Sequence, residues 1–214
     1  MLYVVARFAV LILGLAAIAA PGGFLAAGAA FAQQAPVTRA ALYGDPDAPV
    51  AGNPKGDVTI VAFLDYNCPF CKKSAPALAQ LIATDPNVRV IYKDWPILAP
   101  TSIYGAKLAL GAKYQGKYEA VHDALMKIPG SGISRERMDE ALRAAGVDID
   151  LLNKDLDRHF DEIVALIRRN DDQAKALGLV GTPAYFIGPF KIASALDYQG
   201  FRQAVSDVRA HHLQ

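Results

Sequence analysis

The sequence predicts an α/β fold that carries an inserted helical subdomain. An apolar, β-branched run at 58–64 is followed by a helical pattern and a second strand pattern. Strand patterns are then missing from 95–177, where one helical pattern follows another. Strand-forming residues return at 184–187 and 190–192, before a closing helix. The predicted order is therefore β-α-β, a group of helices, and β-β-α.

The first part of the chain has the composition of a secretory signal. A single cation, Arg7, precedes an uncharged stretch, 8–33, whose apolar centre is interrupted by Pro21-Gly22-Gly23. Ala30-Phe31-Ala32 provides the small-x-small pattern of a cleavage site. We therefore expect residues 1–32 to be a cleaved signal peptide. An uncleaved membrane anchor is the alternative, because the uncharged stretch is long enough to span a bilayer.

The charge balance argues against two classes of binding protein. The chain has 22 Lys and Arg and 21 Asp and Glu, and Arg7 is the only charged residue of the expected signal. The remaining chain is therefore formally neutral and has no basic cluster. Nucleic-acid binding draws most of its affinity from neutralised phosphates, and surface binding to membranes uses polybasic segments. We predict neither function.

The part before the first strand is rich in turn-forming residues. Residues 33–57 include GDPDAPVAGNPKGD, and we expect them to form a tether and the loop that leads into the fold. The run at 58–64 predicts a strand that is buried on both faces. A helix is predicted at 72–83, with Pro76 expected to kink it, and a second strand at 88–92. Residues 58–94 thus form a right-handed βαβ unit.

The inserted subdomain is predicted to span 95–177. Its expected helices cover 102–114, 117–127, a segment from Ser134 to Gly146, a segment starting at Asp150, and 161–177. Residues 178–214 complete the α/β part, and their closing helix is expected to begin at the capping residue Asp197.

The two cysteines of the chain are separated by two residues and lie where the first strand passes into its helix. In that position the unpaired amides and positive dipole end of the helix stabilise a thiolate on Cys68. Such settings lower a thiol pKa from about 8.5 to roughly 3.5–7.5. Cys68 is thus predicted to be the attacking sulfur. Cys71, one turn further along, is predicted to be more buried and to resolve mixed disulfides on Cys68.

Three other interpretations of the cysteine pair fit the sequence less well. A structural disulfide across so short a loop adds only about 2 kcal/mol of stability. Zinc needs four ligands, and the four histidines lie far from the pair in sequence, at His122, His159, His211 and His212. Two thiols without a role are unusual in an oxidising compartment. We therefore predict a redox pair and no metal site.

Three motifs together resemble the DsbA family of exported thiol:disulfide oxidoreductases, in particular its ScsC-like branch. They are DYNCPFCKK, KDWPIL and LGLVGTPAYFIG, and the resemblance covers about 43–210. It implies a thioredoxin fold with a helical insertion and a cis peptide bond between Thr182 and Pro183. It also implies catalysis by Cys68 and Cys71 without a further cofactor. Pro69, Phe70, Thr182 and Pro183 would then contact the substrate.

The resemblance further implies a periplasmic enzyme whose clients are unfolded or partly folded exported proteins with cysteines. Its recycling partner would be a membrane protein, DsbB-like or DsbD/ScsB-like. The expected activity is that of a dithiol oxidase, and the alternative enzymatic activity is that of a disulfide isomerase or reductase. The non-enzymatic alternative is a chaperone-like binding module with an inert disulfide. ScsC-like isomerases oligomerise through an N-terminal helical arm. Because the Pro and Gly content of 33–57 opposes a helix, we expect a monomer.

Two positions depart from the family pattern. Many relatives have a glutamate six residues before the first cysteine, where this chain has Ala62. Either water alone moves the proton of Cys71 or another acid substitutes, and Asp65 is a candidate that could equally be an ordinary carboxylate at a strand end. The dipeptide Pro69-Phe70 lacks the histidine of the most oxidising relatives. We therefore expect a less oxidising pair.

An apolar collar is expected around the Cys68 sulfur. Besides Pro69, Phe70 and the Thr-Pro element, Tyr66 is expected to contribute. Trp95 is expected to pack in the core rather than join the collar. His122 and His159 are expected to be structural.

Overall fold

The computed structural model describes residues 37–212, and all structural statements below concern this part of the chain. The expected signal peptide, 1–32, lies outside the described residues. Within residues 37–212, five strands and eight α-helices follow one another, with a short 3-10 helix at Lys113–Gln115. The strands are β1 (Val50–Gly52), β2 (Val58–Leu64), β3 (Val88–Asp94), β4 (Ala184–Ile187) and β5 (Phe190–Ile192). The helices are α1 (Arg39–Tyr43), α2 (Pro69–Thr84), α3 (Pro100–Ala112), α4 (Tyr118–Lys127), α5 (Arg135–Ala144), α6 (Ile149–Arg158), α7 (Phe160–Ala176) and α8 (Tyr198–Ala210).

The strands form one mixed sheet in the order β1-β3-β2-β4-β5. β2 and β3 are parallel, with Leu64 opposite Asp94, and α2 connects them. β4 runs antiparallel to β2, with Ala184 opposite Phe63. The carboxyl end of β2 therefore lies beside the start of β4. This arrangement confirms the predicted α/β fold with its helical insertion.

Both faces of the sheet are covered. The larger core cluster packs one face, including Ile60 and Ala62 of β2, against α2, α8 and helices of the insertion. The smaller cluster packs Val61 and Phe63, on the opposite face of β2, against α1 and the end of α7. Burial on both sides explains why β2 is apolar along nearly its whole length.

The segment before β2 differs from the expectation of a tether and loop. In the described part of 33–57, Thr38 caps α1 by accepting the Ala41 amide, and Leu42 is buried in the smaller cluster. β1 pairs with the edge of the sheet, Val50 opposite Ile91. These elements are stabilised by distant parts of the chain, which outweigh the local turn propensity. The expectation that this segment contains no helix is wrong for Arg39–Tyr43.

Two helix starts also differ from the sequence prediction. Ser102 lies in the first turn of α3, where its hydroxyl accepts the Ala99 amide at 3.1 Å, and is not the capping residue. Asp148 caps α6 in place of Asp150, by accepting the Leu151 amide at 3.0 Å. The predicted caps Ser134 and Asp197 are confirmed.

Candidate active site

Cys68 occupies the capping position of α2, a place usually taken by Ser, Thr, Asp or Asn. Its sulfur accepts the backbone amide of Cys71 at 3.2 Å, and Pro69 begins the helix. Proline suits this position because the first helical amide has no partner within the helix. The sequence Cys-Pro-Phe-Cys therefore folds locally into a helix start whose cap is a sulfur atom.

A second segment, distant in sequence, completes the environment of this sulfur. The Thr182-Pro183 peptide bond is cis and immediately precedes β4. Because β4 pairs with β2, this bond lies beside the start of α2. The Cys68 thiol donates to the Thr182 carbonyl over 3.2 Å. The Thr-Pro element and the cysteine pair, which sequence analysis placed in one site, thus meet in the structure.

The environment lowers the pKa of Cys68 to about 6. The largest cause is a hydrogen bond from the Cys71 side chain, and burial opposes it. The Thr182 side chain and the backbone amides of Cys71 and Phe70 lower the pKa further. The helix start therefore stabilises the thiolate as expected, but the neighbouring thiol contributes more.

Cys71 has the opposite behaviour. It is completely buried, and burial raises its pKa far above that of an ordinary thiol, with the adjacent Cys68 sulfur adding to the effect. Its proton is therefore retained at neutral pH. The two sulfurs differ strongly in acidity, as a pair with one attacking and one resolving thiol requires.

The side chains expected around the pair have different exposures. Pro69 is exposed and Phe70 has 63% of its surface accessible, whereas Thr182 is half-buried and Pro183 is buried. Val180, two residues before Thr182, is 97% exposed and was not anticipated from the sequence. Exposed apolar side chains therefore lie on both segments that form the site.

Tyr66 does not belong to an exposed collar. It is buried in the larger core cluster, where its ring packs edge-on against His122 and its hydroxyl lies 3.1 Å from Nδ1 of the same histidine. Trp95 is in the core, as expected: it packs edge-on against Phe63 at 6.2 Å and donates to Asp171 at 3.0 Å.

The sequence matches the family described as DSBA-like thioredoxin domain over residues 59–206. The chain belongs to this family. Its fold is that of thiol:disulfide oxidoreductases, and the neighbours below are consistent with the ScsC-like branch.

Solved structures of family members resemble the chain closely. A thioredoxin-like oxidoreductase from Silicibacter pomeroyi is 38% identical, with a TM-score of 0.75, over 81% of this chain and 98% of its own. The thiol-disulfide exchange protein α-DsbA2 from Wolbachia pipientis is 31% identical, with a TM-score of 0.73, over 78% of this chain and 90% of its own. ScsC from Proteus mirabilis is 26% identical, with a TM-score of 0.71, over 80% of this chain and 77% of its own.

The curated relatives are much longer proteins. Na⁺/H⁺ antiporter NhaA 3 of Salinispora tropica is 28% identical over 162 residues, which make up 69% of this chain and 24% of the antiporter. The chain thus spans about a quarter of the length of the curated relatives it matches. Between residues 37 and 212, no helix is long and apolar enough to cross a membrane.

The position of the family's glutamate is apolar in this structure. Ala62 is completely buried and lies between Tyr92 of β3 and Tyr185 of β4. Asp65, the substitute considered above, is fully engaged by backbone groups. Its oxygens accept the amides of Asn67 at 2.7 Å, Ile97 at 2.8 Å and Leu98 at 2.9 Å. Asp65 therefore fixes the loop that leads to Cys68.

A buried polar network near the site was missed by sequence analysis. Tyr118 donates to Asp94 over 3.0 Å, and the Tyr66 hydroxyl lies 3.5 Å from that of Tyr118 and 3.1 Å from Nδ1 of His122. Burial raises the pKa of Asp94 to about 7 and lowers that of His122 to about 4. His122 is therefore a neutral core residue, as expected.

His159 lies away from the cysteine pair. Its ring stacks on Tyr114 with centroids 3.5 Å apart, and its Nδ1 contacts Glu162 at 3.0 Å. In the described range, no group of three metal-ligating side chains is close enough to hold a metal ion.

Proposed function

We propose that the chain is an exported thiol:disulfide oxidoreductase that acts in the periplasm as a dithiol oxidase. Its clients would be unfolded or partly folded exported proteins with cysteines. The observation that carries the proposal is the Cys68 sulfur at the start of α2, in contact with both the Cys71 amide and the Thr182 carbonyl. Family membership and the low Cys68 pKa support the same activity.

The reaction begins with the Cys68-Cys71 disulfide form. A client thiolate attacks Cys68, forming a mixed disulfide, and the electron pair of the broken bond passes to Cys71, which takes up a proton. A second client thiolate then attacks the client sulfur of the mixed disulfide, and Cys68 leaves as a thiolate. The client dithiol becomes a disulfide, while the cysteine pair is reduced by two electrons.

The difference in acidity between the two sulfurs favours this direction. Leaving groups of low pKa depart faster in thiol-disulfide exchange, so Cys68 is suited to the second step. Stabilising the reduced thiolate form also makes a disulfide more oxidising. Phe70 supplies no charge to this thiolate, and we therefore propose a potential below that of relatives with a histidine between the cysteines. Equilibration of the cysteine pair with glutathione measures this reduction potential.

The exposed side chains of Pro69, Phe70 and Val180 would contact apolar client segments, and the Thr182 backbone would pair with an extended client chain. No cofactor beyond the cysteine pair is required. A membrane redox partner, DsbB-like or DsbD/ScsB-like, would accept the two electrons. We propose that the protein works as a monomer, and sedimentation that gives a stable oligomer would instead support an isomerase.

Two single substitutions test the activity on a peptide with two cysteines. We expect Cys68→Ala to abolish peptide oxidation and Cys71→Ala to accumulate mixed disulfides visible by mass spectrometry. If the protein is instead a chaperone-like module with an inert disulfide, Cys68→Ala retains full suppression of client aggregation. Peptide oxidation by the Cys68→Ala variant at the wild-type rate would contradict the proposal. The redox state of the pair in cells distinguishes an oxidase from a reductase.

A further inference from the structure

A groove of about 650 Å³ begins beside the cysteine pair and runs between α2 and the end of α4. Pro69, the residue after Cys68, lines its start. Its apolar lining continues with Pro76 of α2 and with Met126 and Ile128 from the other wall. The groove is therefore continuous with the site at which a client cysteine would be bonded.

The rim of this groove is mainly cationic. Lys72, Lys73 and Lys127 line it, together with a single carboxylate, Asp123. Lys73 and Lys127 are exposed, and neither side chain has an ion pair or hydrogen bond with any other residue of 37–212. Several cations elsewhere in the described chain are paired, such as Lys93 and Arg169 with Asp45. The two lysines are available for an external partner.

Lys72 has a different part in the groove. Its Nζ donates to the Gly130 carbonyl over 2.9 Å, which connects α2 to the loop after α4 and fixes one end of the groove. Burial lowers the pKa of Lys72, whereas Asp65 and the two cysteines act in the opposite direction. The Lys72 charge is thus held in place by the protein, whereas the charges of Lys73 and Lys127 are free to meet a client.

A client joined to Cys68 extends on both sides of its cysteine, and one flank can lie along the groove that starts at Pro69. An extended chain advances about 3.3 Å per residue, so side chains roughly two to four positions from the client cysteine can reach a groove that starts at Pro69. The apolar lining suits an apolar side chain, and the lysine rim suits a carboxylate. The occupant that fits both features is a client segment with acidic and apolar residues on one side of its cysteine.

We infer that the groove defined by Pro69, Pro76, Met126 and Ile128, with its rim of Lys72, Lys73 and Lys127, is a client subsite that selects acidic residues on one flank of the reactive cysteine. The inference rests on the proposed exchange function. It assigns a substrate preference to this groove, whose lining includes neither Thr182 nor Pro183.

The test compares oxidation of matched peptides by the disulfide form of the whole protein. Each peptide contains two cysteines and one Leu, flanked on one side by two Glu, two Gln or two Lys. An exposed ion pair changes a rate or binding constant by about threefold, so two such pairs give the Glu peptide a kcat/KM roughly tenfold above that of the Lys peptide at low salt. The preference is expected for one flank only and to decrease with added salt.

Variants connect the preference to the groove. Lys73→Gln combined with Lys127→Gln is expected to reduce the Glu-to-Lys ratio to near one, and Lys73→Glu is expected to lower or reverse it. The matched control replaces Lys55 and Lys154, two exposed lysines that do not line the groove, with Gln, and should keep the wild-type ratio. Oxidation of dithiothreitol should be equal in all variants, because it needs no flanking contacts.

The outcomes separate the inference from the proposed function. Equal rates for the three peptides, with normal oxidation of dithiothreitol, would overturn the subsite and leave the exchange function intact. A preference that survives in the Lys73→Gln and Lys127→Gln double variant would also overturn it. Failure of the wild-type protein to exchange with any peptide or with dithiothreitol would refute the proposed function itself.

Discussion

The acidity of Cys68 depends on Cys71, and removing the Cys71 thiol is therefore expected to raise the Cys68 pKa. The Cys71 side chain makes the largest contribution that lowers this pKa from the ordinary value of about 8.5 to about 6. That difference corresponds to roughly 3 kcal/mol in favour of the thiolate. The remaining contributions come from Thr182 and the amides at the helix start.

The expected size of the change follows from the strength of one hydrogen bond. A hydrogen bond to a charged group contributes about 1.5–3 kcal/mol, which equals roughly one to two pH units. In Cys71→Ala the Cys68 pKa should therefore rise to about 7–8. In Cys71→Ser the hydroxyl keeps a donor at the same position, and the pKa should stay near 6. The serine variant is the matched control for the loss of the second sulfur.

The thiolate absorbs near 240 nm, so the titration can be followed directly. Each variant contains one cysteine, and the absorbance between pH 4 and pH 8.5, below the range in which tyrosines ionise, follows Cys68. The rate of alkylation by iodoacetamide over the same range gives an independent value. If Cys71→Ala and Cys71→Ser both titrate near 6, the helix start and Thr182 account for the low pKa, and the assigned part of Cys71 is wrong.

Two further predictions concern stability, measured by urea unfolding. Asp94 binds its proton more tightly in the folded state, so its ionisation reduces stability as pH rises from about 4 to 7. Asp94→Asn should therefore raise the free energy of unfolding by up to roughly 4 kcal/mol at pH 8 and change it little at pH 4. An equal change at the two pH values would contradict this assignment of the Asp94 pKa. Asp45→Asn should lower the free energy of unfolding by about 3–5 kcal/mol, because it leaves the completely buried Lys93 without its partner. The control Asp47→Asn removes an exposed ion pair with Arg169 and should lower it by less than about 1 kcal/mol.

The parts of the fold that sequence analysis predicted are those with local signals. β2 and β4 consist of short apolar runs whose burial on the sheet matches their composition. The cysteine pair was assigned to a helix start from its position after such a run, which is a local feature. Helix starts are predictable where a capping residue precedes an apolar pattern. The observed start of α6 differs by two residues from the predicted one, because Asp148 and not Asp150 is its capping residue.

The parts that were missed depend on contacts between distant residues. α1 is only five residues long, and its Leu42 is buried by packing against the far face of the sheet. Tyr66 and Tyr118 are 52 positions apart, and Tyr118 and Asp94 are 24 apart, so no spacing rule connects them. Tyr66, which is expected in the collar and lies two residues from Cys68, is instead part of the core. Proximity in sequence to an active site does not distinguish an exposed residue from a supporting one.

The three residues before Cys68 show what the helical insertion contributes to the site. Asp65 accepts the amides of Ile97 and Leu98, and the Tyr66 hydroxyl contacts the side chains of two residues of α4. Asn67 accepts the Ile133 amide at 2.7 Å and donates to the hydroxyls of Thr101 and Ser102.

Each of these three buried residues is thus bonded to the segment 95–177. The insertion is therefore a support for the loop that positions the reactive sulfur, and not only a cover over the sheet. Because a sulfur that forms transient bonds with many clients must return to the same geometry after each exchange, a loop fixed at three consecutive residues serves the proposed chemistry directly.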